Sequence, residues 1–329
     1  MQKRQRTLNG TSSYTSRLVQ VARAYYLENQ IQSQIARSLG ISRSLVSRYL
    51  TAAREQGIVR IQIVDPEEIS YQIGQALKVH FPHLKEVIVA PSFSNESDAV
   101  RVMIGRYAAN FLIDVLKPGQ TLALGCGRTL RAMVDALQRR SLQGSVIVQA
   151  MGNIGHEAHN LDYNEIARQA AESLGGRVVY VSAPAILGKG SGKASDLVKA
   201  NPSLDYALSL AKRADIYMVG IGSIESDQLY ARTGVLREEE LEDLHSRAVG
   251  DICGRFFDIE GQAQIAMFED RIVGIELEDL RHAEYAIGIA GGADKAASVL
   301  GALRSGYINA LVSDEQTIQT VLQMIQSEV

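Results

Sequence analysis

The sequence predicts an α/β protein with two domains: a small N-terminal helical domain, and a large domain built on a doubly wound, mostly parallel, Rossmann-like sheet. Apolar residues follow helical spacing through most of the first 56 residues, and from about residue 65 short apolar strands alternate with helices. The chain of 329 residues is long enough to bury a core. We therefore expect a disordered tail at 1–13, the small domain at 14–64 and the large domain at 65–329.

Three helices and a strand are predicted in the small domain. Gly40 suits a left-handed helix cap and ends the second helix, and Ser42 can cap the third, which Gly57 closes. The IVRIQI segment alternates as a strand does, which predicts a wing after the third helix. The predicted elements are a helix from about residue 15 to 28, helices at Gln32–Leu39 and about Arg43–Glu55, and a strand at Ile58–Ile63.

The segment from Gln32 to Leu50 fits a helix-turn-helix. Ala36 is small where two helices would cross, and Val46 is apolar where the second of them must pack. The opposite face of that second helix carries hydroxyl and guanidinium groups, which can contact base edges and phosphates in a DNA major groove. These candidate DNA-binding residues are Ser42, Arg43, Ser44, Ser47 and Arg48.

The charge of the chain is divided unevenly along its length. Residues 1–60 contain ten Lys or Arg against two acidic side chains, which gives +8. The other 269 residues hold 24 basic and 35 acidic side chains, which gives −11 and a net charge of −3 for the chain. This asymmetry favours double-stranded DNA as a partner of the small domain and not of the large one.

The large domain is predicted to bind ligands at the carboxyl ends of its strands, because doubly wound sheets bind them there. The predicted strands are Glu86–Ala90, Thr121–Leu124, Val146–Ala150, Val178–Val181, Asp215–Ile221, Arg271–Ile275, Tyr285–Ala290 and Ala310–Val312. The helices predicted between them include Asp98–Leu116, Leu130–Arg139, Tyr163–Ser173 and Lys295–Arg304.

A glycine-rich turn, GCGRT at 125–129, joins the second of these strands to a helix. Gly125 and Gly127 let the backbone approach a ligand, and the helix N-terminus offers free N–H groups. Arg128 and Thr129 add a guanidinium group and a hydroxyl that suit phosphate or sugar oxygens. The dinucleotide fingerprint and the Walker pattern are both incomplete, so no nucleotide cofactor is expected. A glycine turn without any ligand remains the alternative.

Other predicted strand ends point to the same crevice. A Gly-Gly pair precedes the helix that holds Lys295 and could form a second anion cradle. Asp251 could accept hydrogen bonds from sugar hydroxyls. The further candidate ligand-binding residues are Gly152, Asn153, Asp251, Gly291, Gly292 and Lys295.

Several sequence blocks in a fixed order carry a family resemblance. They are the helix-turn-helix, GCGRTL at 125–130, VGIGS at 219–223, AVGDICGRFFDIEG at 248–261 and IAGGADKAASVLGALRSGYINALVSDEQT at 289–317. From about Leu18 to the C-terminus the chain resembles the SorC/DeoR-type sugar-responsive transcriptional regulators. Ordered blocks over most of the chain are far more specific than any single loop.

The resemblance implies a DNA-binding domain joined to an effector domain whose fold is related to sugar-phosphate isomerases. It also implies a homo-oligomer, commonly a tetramer, whose operator binding changes when a sugar, polyol or sugar phosphate binds. By position, the 125–129 loop, Gly152 with Asn153, Asp251 and Lys295 would face that effector. The chain departs from the family at Cys126, where an aromatic residue is frequent. Met151 has no amine for a covalent adduct with an aldehyde, which argues against Schiff-base capture at that strand end.

An enzyme related to those isomerases is the main alternative, since one fold supports either role. It would need a positioned acid–base pair, for which Asp215, Glu225, Asp227 and Asp251 are available. A pure enzyme would leave the basic helix-turn-helix unexplained. We therefore expect a regulator of a carbohydrate-utilisation operon that is not an enzyme.

The histidines, the cysteines and the N-terminal segment bear on metal binding, disulfide formation and location. His156 and His159 are three residues apart, but no third metal ligand is placed by the sequence, so no metal site is expected, and either histidine could line the sugar crevice. Cys126 and Cys253 match no disulfide or metal spacing. Without an apolar signal segment or membrane span, a cytoplasmic protein is expected.

Overall fold

The computed structural model describes the backbone of residues 2–61, 66–94, 96–153, 162–224 and 236–328. The chain forms two compact units, Met1–Asp65 and Pro66–Val329. The boundary between them lies one residue from the one expected from the sequence.

The first unit is a three-helix cluster around a small apolar core. Its helices are α1 (Gln2–Tyr26), α2 (Gln32–Leu39) and α3 (Arg43–Glu55). The short turn between α2 and α3 contains Gly40 in the left-handed conformation with φ of 63°, as expected of the helix cap. The residues buried in the core are Leu18, Val21, Ala22, Ile35, Ala36, Val46, Leu50 and Ala53. This arrangement confirms the predicted helices and their order.

Two expectations for this unit differ from the structure. The backbone is helical from Gln2, where a disordered tail was expected over 1–13; extension of an existing helix needs no new nucleus, so α1 continues through residues of low helix propensity such as Gly10. The predicted wing is absent from residues 58–61, the part of Ile58–Ile63 that the structure describes. Ile58 and Val59 instead pack against the helices, and the Val59 amide donates to the carbonyl of Ala53 (3.0 Å). The alternation therefore reflects a half-buried connection.

The second unit is an α/β domain, as predicted. Its helices are α4 (Pro66–His80), α5 (Ser97–Val115), α6 (Arg128–Ala136), α7 (Tyr163–Leu174), α8 (Ala194–Ala200), α9 (Pro202–Ala211), α10 (Glu238–Arg247), α11 (Ala296–Ser305) and α12 (Glu315–Ser327). Its strands are β1 (Glu86–Ala90), β2 (Thr121–Leu124), β3 (Val146–Gln149), β4 (Arg177–Val179), β5 (Ile216–Gly220), β6 (Gly222–Ser223), β7 (Gly250–Ile252), β8 (Arg255–Phe257), β9 (Ala263–Gln264), β10 (Tyr285–Ile289) and β11 (Ala310–Asp314).

The main sheet is parallel throughout, and its strand order is β1-β11-β10-β5-β2-β3-β4. The chain proceeds from β2 to β3 and β4 on one side, whereas β5 is followed by β10 and β11 on the other. The pair β2 and β5 is therefore a topological switch point, where a crevice opens beyond the carboxyl ends of the strands. Along β5, Tyr217 packs on one face of the sheet and Met218 on the other, so both faces are covered.

A small antiparallel sheet, β6-β7-β8-β9, follows directly from the carboxyl end of β5. The predicted strand at Arg271–Ile275 is wrong, since Glu269–Arg271 is a 3₁₀ turn and the following residues make only single bridges, such as the one between Gly274 and Met151. The Ile275 amide donates to the carbonyl of Ala150 (2.9 Å). The Val273 amide donates to the carbonyl of Ala185 (2.8 Å), so the backbone groups of this segment are satisfied by the loops beyond β3 and β4 and not by a continuous ladder.

Candidate functional site

A cavity of about 260 Å³ lies at the switch point, beyond the carboxyl ends of β2, β5 and β10. Its walls come from segments that are far apart in the sequence. The lining includes Ser97 and Arg101 from α5, residues 126–130, Met151, Tyr163, residues 220–222, Asp251, Cys253, Ile289, Gly291, Asp294 and Lys295. Cationic, hydroxyl and carboxylate groups thus line one partly open cavity.

The 125–129 turn forms one wall of the cavity. The Gly125 amide donates to the carbonyl of Met218 (2.8 Å) in β5, and a Cβ at this position would lie 3.3 Å from the Cα of Val219. Gly127 is the N-cap of α6 with φ of 142°, and no side chain caps this helix. The N-terminus of α6, with its positive dipole end, therefore lies at the cavity wall formed by Gly127, Arg128 and Thr129.

A second glycine turn, at residues 291–292, forms the facing wall. The amide of Gly292, which has φ of 105°, donates to Oδ2 of Asp314 (2.9 Å). Asp314 is buried and also accepts hydrogen bonds from the amide (3.0 Å) and hydroxyl (2.5 Å) of Thr317, so one carboxylate fixes both the turn and the start of α12. Lys295 Nζ donates to the carbonyl of Ile221 (3.2 Å), which holds this ammonium group at the cavity wall.

The β7–β8 hairpin supplies the acidic part of the lining. Asp251 Oδ2 accepts a hydrogen bond from the Gly254 amide (2.9 Å), and its Oδ1 occupies the space that a Cβ would need at Gly222. Glycine at 222 is therefore required for this position of the carboxylate. Burial and the nearby Asp251 carboxylate raise the pKa of the Cys253 thiol to about 12, so this thiol stays protonated.

The structure brings most of the predicted ligand-binding residues together. Gly127, Arg128, Thr129, Asp251, Gly291 and Lys295 line the cavity, and Gly125 supports the turn from behind.

Besides Gly125, three predicted residues are not part of the cavity lining. Gly292 acts through its backbone contact with Asp314. At Gly152 a Cβ would lie 2.5 Å from the carbonyl oxygens of Ala183 and Pro184, so close backbone packing requires this glycine. The Asn153 amide donates to the carbonyl of Ala183 (2.8 Å). The chain after β3 therefore turns towards the 183–185 segment and away from the cavity.

The lining also contains residues that sequence reasoning missed. Ser97 and Arg101 belong to α5, which follows β1, and Tyr163 begins α7, which follows β3. The available signal was the rule that helices after parallel strands start at the ligand-binding edge. Asp294 was overlooked beside the Gly-Gly pair, although it lines the same wall.

Asp251 is the one described residue of the cavity lining among the carboxylates and histidines considered for acid–base catalysis or metal binding. Asp215 lies at the amino end of β5, where its Oδ2 accepts a hydrogen bond from the Thr121 amide (2.7 Å), and so sits at the sheet edge opposite the cavity. Glu225, Asp227, His156 and His159 lie outside the described residues.

The predicted DNA-reading face of α3 is exposed. Arg43, Ser44, Ser47 and Arg48 are all solvent-accessible, and Val46 on the opposite face is buried. Ser42 is exposed as well, but its Oγ accepts a hydrogen bond from the Leu45 amide (3.2 Å) and so caps the helix. The face offers two guanidinium groups and three hydroxyls at the start of a recognition-type helix.

No helix among the described residues has the length and apolar character needed to cross a membrane.

The comparisons with known proteins agree with this architecture. The family model described as "Putative sugar-binding domain" matches residues 65–323. The deoxyribonucleoside regulator of Bacillus subtilis is 32% identical over 92% of this chain and 96% of its own length. The sorbitol operon regulator of Klebsiella pneumoniae is 33% identical over 93% of this chain and 97% of its own.

The crystal structure of that full-length sorbitol operon regulator, SorC, superposes with a TM-score of 0.73 at 32% identity. The similarity covers 94% of this chain and 98% of the SorC chain, so it includes both units. The chain therefore belongs to the SorC-type family of transcriptional regulators, which join a DNA-binding unit to a sugar-binding domain.

Proposed function

We propose that this protein regulates a carbohydrate-utilisation operon and that a sugar, polyol or sugar phosphate bound in the cavity controls its affinity for operator DNA. One observation carries the proposal: the cavity at the switch point is walled by two glycine turns with Arg128 and Lys295, and by the buried carboxylate of Asp251. Backbone N–H groups and cations suit a phosphate, and carboxylates suit sugar hydroxyls. The known sorbitol operon and deoxyribonucleoside regulators support a ligand of this class.

The DNA partner is assigned to α3. Arg43, Ser44, Ser47 and Arg48 would contact bases and phosphates, and Ser42 would both cap the helix and lie at the DNA surface. A homo-oligomer, most simply a tetramer, would present two or more such helices to a repeated operator. Such a regulator would work in the cytoplasm, where the DNA is.

The ligand acts by shifting an equilibrium between arrangements that fit or do not fit the operator. It must therefore bind one arrangement more tightly than the other. Gly125, Gly127, Arg128, Thr129, Asp251, Gly291, Gly292 and Lys295 form or support its site, whereas Gly152 and Asn153 would serve only to shape the loop behind it.

A sensor is favoured over an isomerase-like enzyme by the placement of Asp215. Its position at the opposite sheet edge removes one of the candidate acid–base groups from the cavity. Incubation with a panel of sugars, polyols and their phosphates tests this, with thermal unfolding and turnover measured on the same samples. We expect at least one compound to raise the unfolding midpoint without being converted. Turnover of a stabilising compound would instead establish the enzyme.

A further inference from the structure

A second concavity, here called the α5–α6 groove, runs between helices α5 and α6. Its volume is about 670 Å³, larger than the 260 Å³ of the cavity at the switch point, which is here called the effector cavity after its proposed function. The charged residues that line it are Asp98, Arg101 and Arg106 from α5, and Arg128, Arg131 and Asp135 from α6. None of the arginines except Arg128 was predicted to bind a ligand.

The groove and the effector cavity share two side chains. Arg101 and Arg128 line both, so the two spaces meet at a pair of guanidinium groups. Helices α5 and α6 cross closely near these residues: a Cβ at Gly105 would lie 2.6 Å from the carbonyl carbon of Ala132. Arg101 precedes Gly105 by four residues in α5, and Arg128 precedes Ala132 by four residues in α6. Each arginine therefore lies about one helical turn from the crossing, on the side nearer the cavity.

The groove is positive although the chain beyond residue 60 is acidic. Four arginines face two carboxylates. Arg101 pairs with Asp98, and Arg131 Nε lies 3.0 Å from Asp135 Oδ1, which leaves a net charge of +2. The side chains of Arg101 and Arg131 are only 20% and 33% exposed, so their charges are less screened than those of fully solvated arginines.

We propose that the α5–α6 groove is a second anion subsite that takes one phosphate of a bisphosphorylated sugar or polyol, whose other phosphate lies in the effector cavity. Arg101 and Arg128 bridge the two subsites, and Arg106 and Arg131 complete the second. Guanidinium forks suit phosphate because they donate two parallel hydrogen bonds to it. The inference rests on the proposed function, because it extends the ligand assigned to the cavity.

The test is calorimetric titration of the full-length protein with matched pairs of ligands. The pairs are glucose 6-phosphate with glucose 1,6-bisphosphate, and ribose 5-phosphate with ribose 1,5-bisphosphate. We expect at least one bisphosphate to bind the unmodified protein about tenfold more tightly than its monophosphate, since charge-assisted hydrogen bonds of this kind are worth that much. The Arg106→Gln/Arg131→Gln variant should lose this advantage and keep its affinity for the monophosphate.

The matched control is Arg139→Gln/Arg140→Gln, which removes the same charge from exposed positions outside the groove lining and should keep the advantage. Equal affinities in the unmodified protein, or an advantage that survives in Arg106→Gln/Arg131→Gln, would overturn the inference. A smaller oligomeric mass of that variant in light scattering would also overturn it, because the groove would then be a subunit contact.

A failure of the proposed function would give a different result in the same titrations. If none of the phosphosugars binds the unmodified protein, the assignment of a phosphosugar to the cavity is wrong, and inorganic phosphate then tests the groove by itself. Loss of one bound phosphate per chain in Arg106→Gln/Arg131→Gln would support the groove as an anion subsite. The same number of bound phosphates in both proteins would contradict it.

Discussion

Cys126 and Cys253 are the two cysteines of the chain, and both line the effector cavity in different environments. Cys253 lies in the β7–β8 turn and is buried. Its pKa is raised to about 12, so the side chain stays a protonated thiol, which does not react as a nucleophile. Cys126 is partly exposed in the 125–129 turn. The rate at which Cys126 is alkylated, compared with that of Cys253, can therefore be used to measure whether a ligand occupies the cavity.

Alkylation by iodoacetamide at about pH 8 should modify Cys126 and spare Cys253, because only a thiolate attacks the reagent. Mass spectrometry of the digested protein would measure both sites. A ligand in the cavity should slow the reaction of Cys126 by about tenfold or more at saturation. Modification of Cys253 at a comparable rate, or no protection by a ligand that stabilises the protein, would contradict this description of the cavity.

Some residues of the cavity could be predicted from the sequence around them, and others could not. Arg128 and Lys295 were identifiable because each follows a glycine turn at a strand end. Arg101 was not, since nothing in α5 alone shows that its N-terminus faces the same crevice. Gly152 was misleading for the opposite reason, because tight backbone packing against Ala183 selects glycine as strongly as a ligand does.

At the scale of elements, the first turn of α3 combines an observed capping role with the proposed contact to DNA. Ser42 caps the helix through the Leu45 amide and also contacts the Ser44 hydroxyl (Oγ to Oγ, 2.9 Å). A residue at this position must satisfy the helix end before it can contact DNA. The two roles can be separated, since aspartate caps as well as serine but carries a negative charge.

Ser42→Ala should lower the free energy of unfolding of the small unit by about 1 kcal/mol, whereas Ser42→Asp should leave it unchanged and weaken operator binding by repelling phosphates. Thermal unfolding followed by circular dichroism and fluorescence anisotropy with an operator fragment measure the two effects. Ser38→Ala removes a hydroxyl that donates to the Ile35 carbonyl (3.0 Å) within α2 and caps no helix, so as the control it should leave operator binding unchanged. Operator binding by Ser42→Asp equal to that of the unmodified protein would remove Ser42 from the DNA surface.

The elements themselves were mostly predictable, because strand and helix periods alternate clearly from Glu86 to the end of the chain. The errors fall where an alternating pattern has no neighbouring strand to pair with. Ile58 and Val59 pack on helices while Ile61 is exposed, and the backbone of 271–275 hydrogen-bonds to the loops that follow β3 and β4. The spacing of apolar residues indicates which side chains are buried. It does not indicate whether a neighbouring strand is present to hydrogen-bond with the backbone.

At the scale of the whole molecule, the separation of charge matches the separation of roles. The first 60 residues carry +8, and the rest of the chain carries −11. A polyanion is therefore attracted to the first unit and repelled by the second, which supports the proposal that DNA binds to the small unit. Small anions reach the second unit only where arginines, lysines and helix N-termini create local positive sites.

Removal of Arg43 and Arg48 together should abolish specific operator binding, because both guanidinium groups lie on the exposed face of α3. Anisotropy titrations at several salt concentrations should also show a shallower salt dependence, with a slope smaller by roughly one for each phosphate that is no longer neutralised. Arg139→Ala/Arg140→Ala removes the same charge from the other unit and should retain binding. Unchanged operator affinity of Arg43→Ala/Arg48→Ala would refute the assigned DNA face.

The central claim is that a ligand in the cavity controls DNA binding by the other unit. The most direct measurement is operator binding by the unmodified protein and by Arg128→Ala, titrated with a ligand that stabilises the unmodified protein. We predict that Arg128→Ala binds the operator normally in the absence of ligand but does not respond to ligand at concentrations that saturate the unmodified protein. A response of Arg128→Ala at the same ligand concentration as the unmodified protein would contradict the claim.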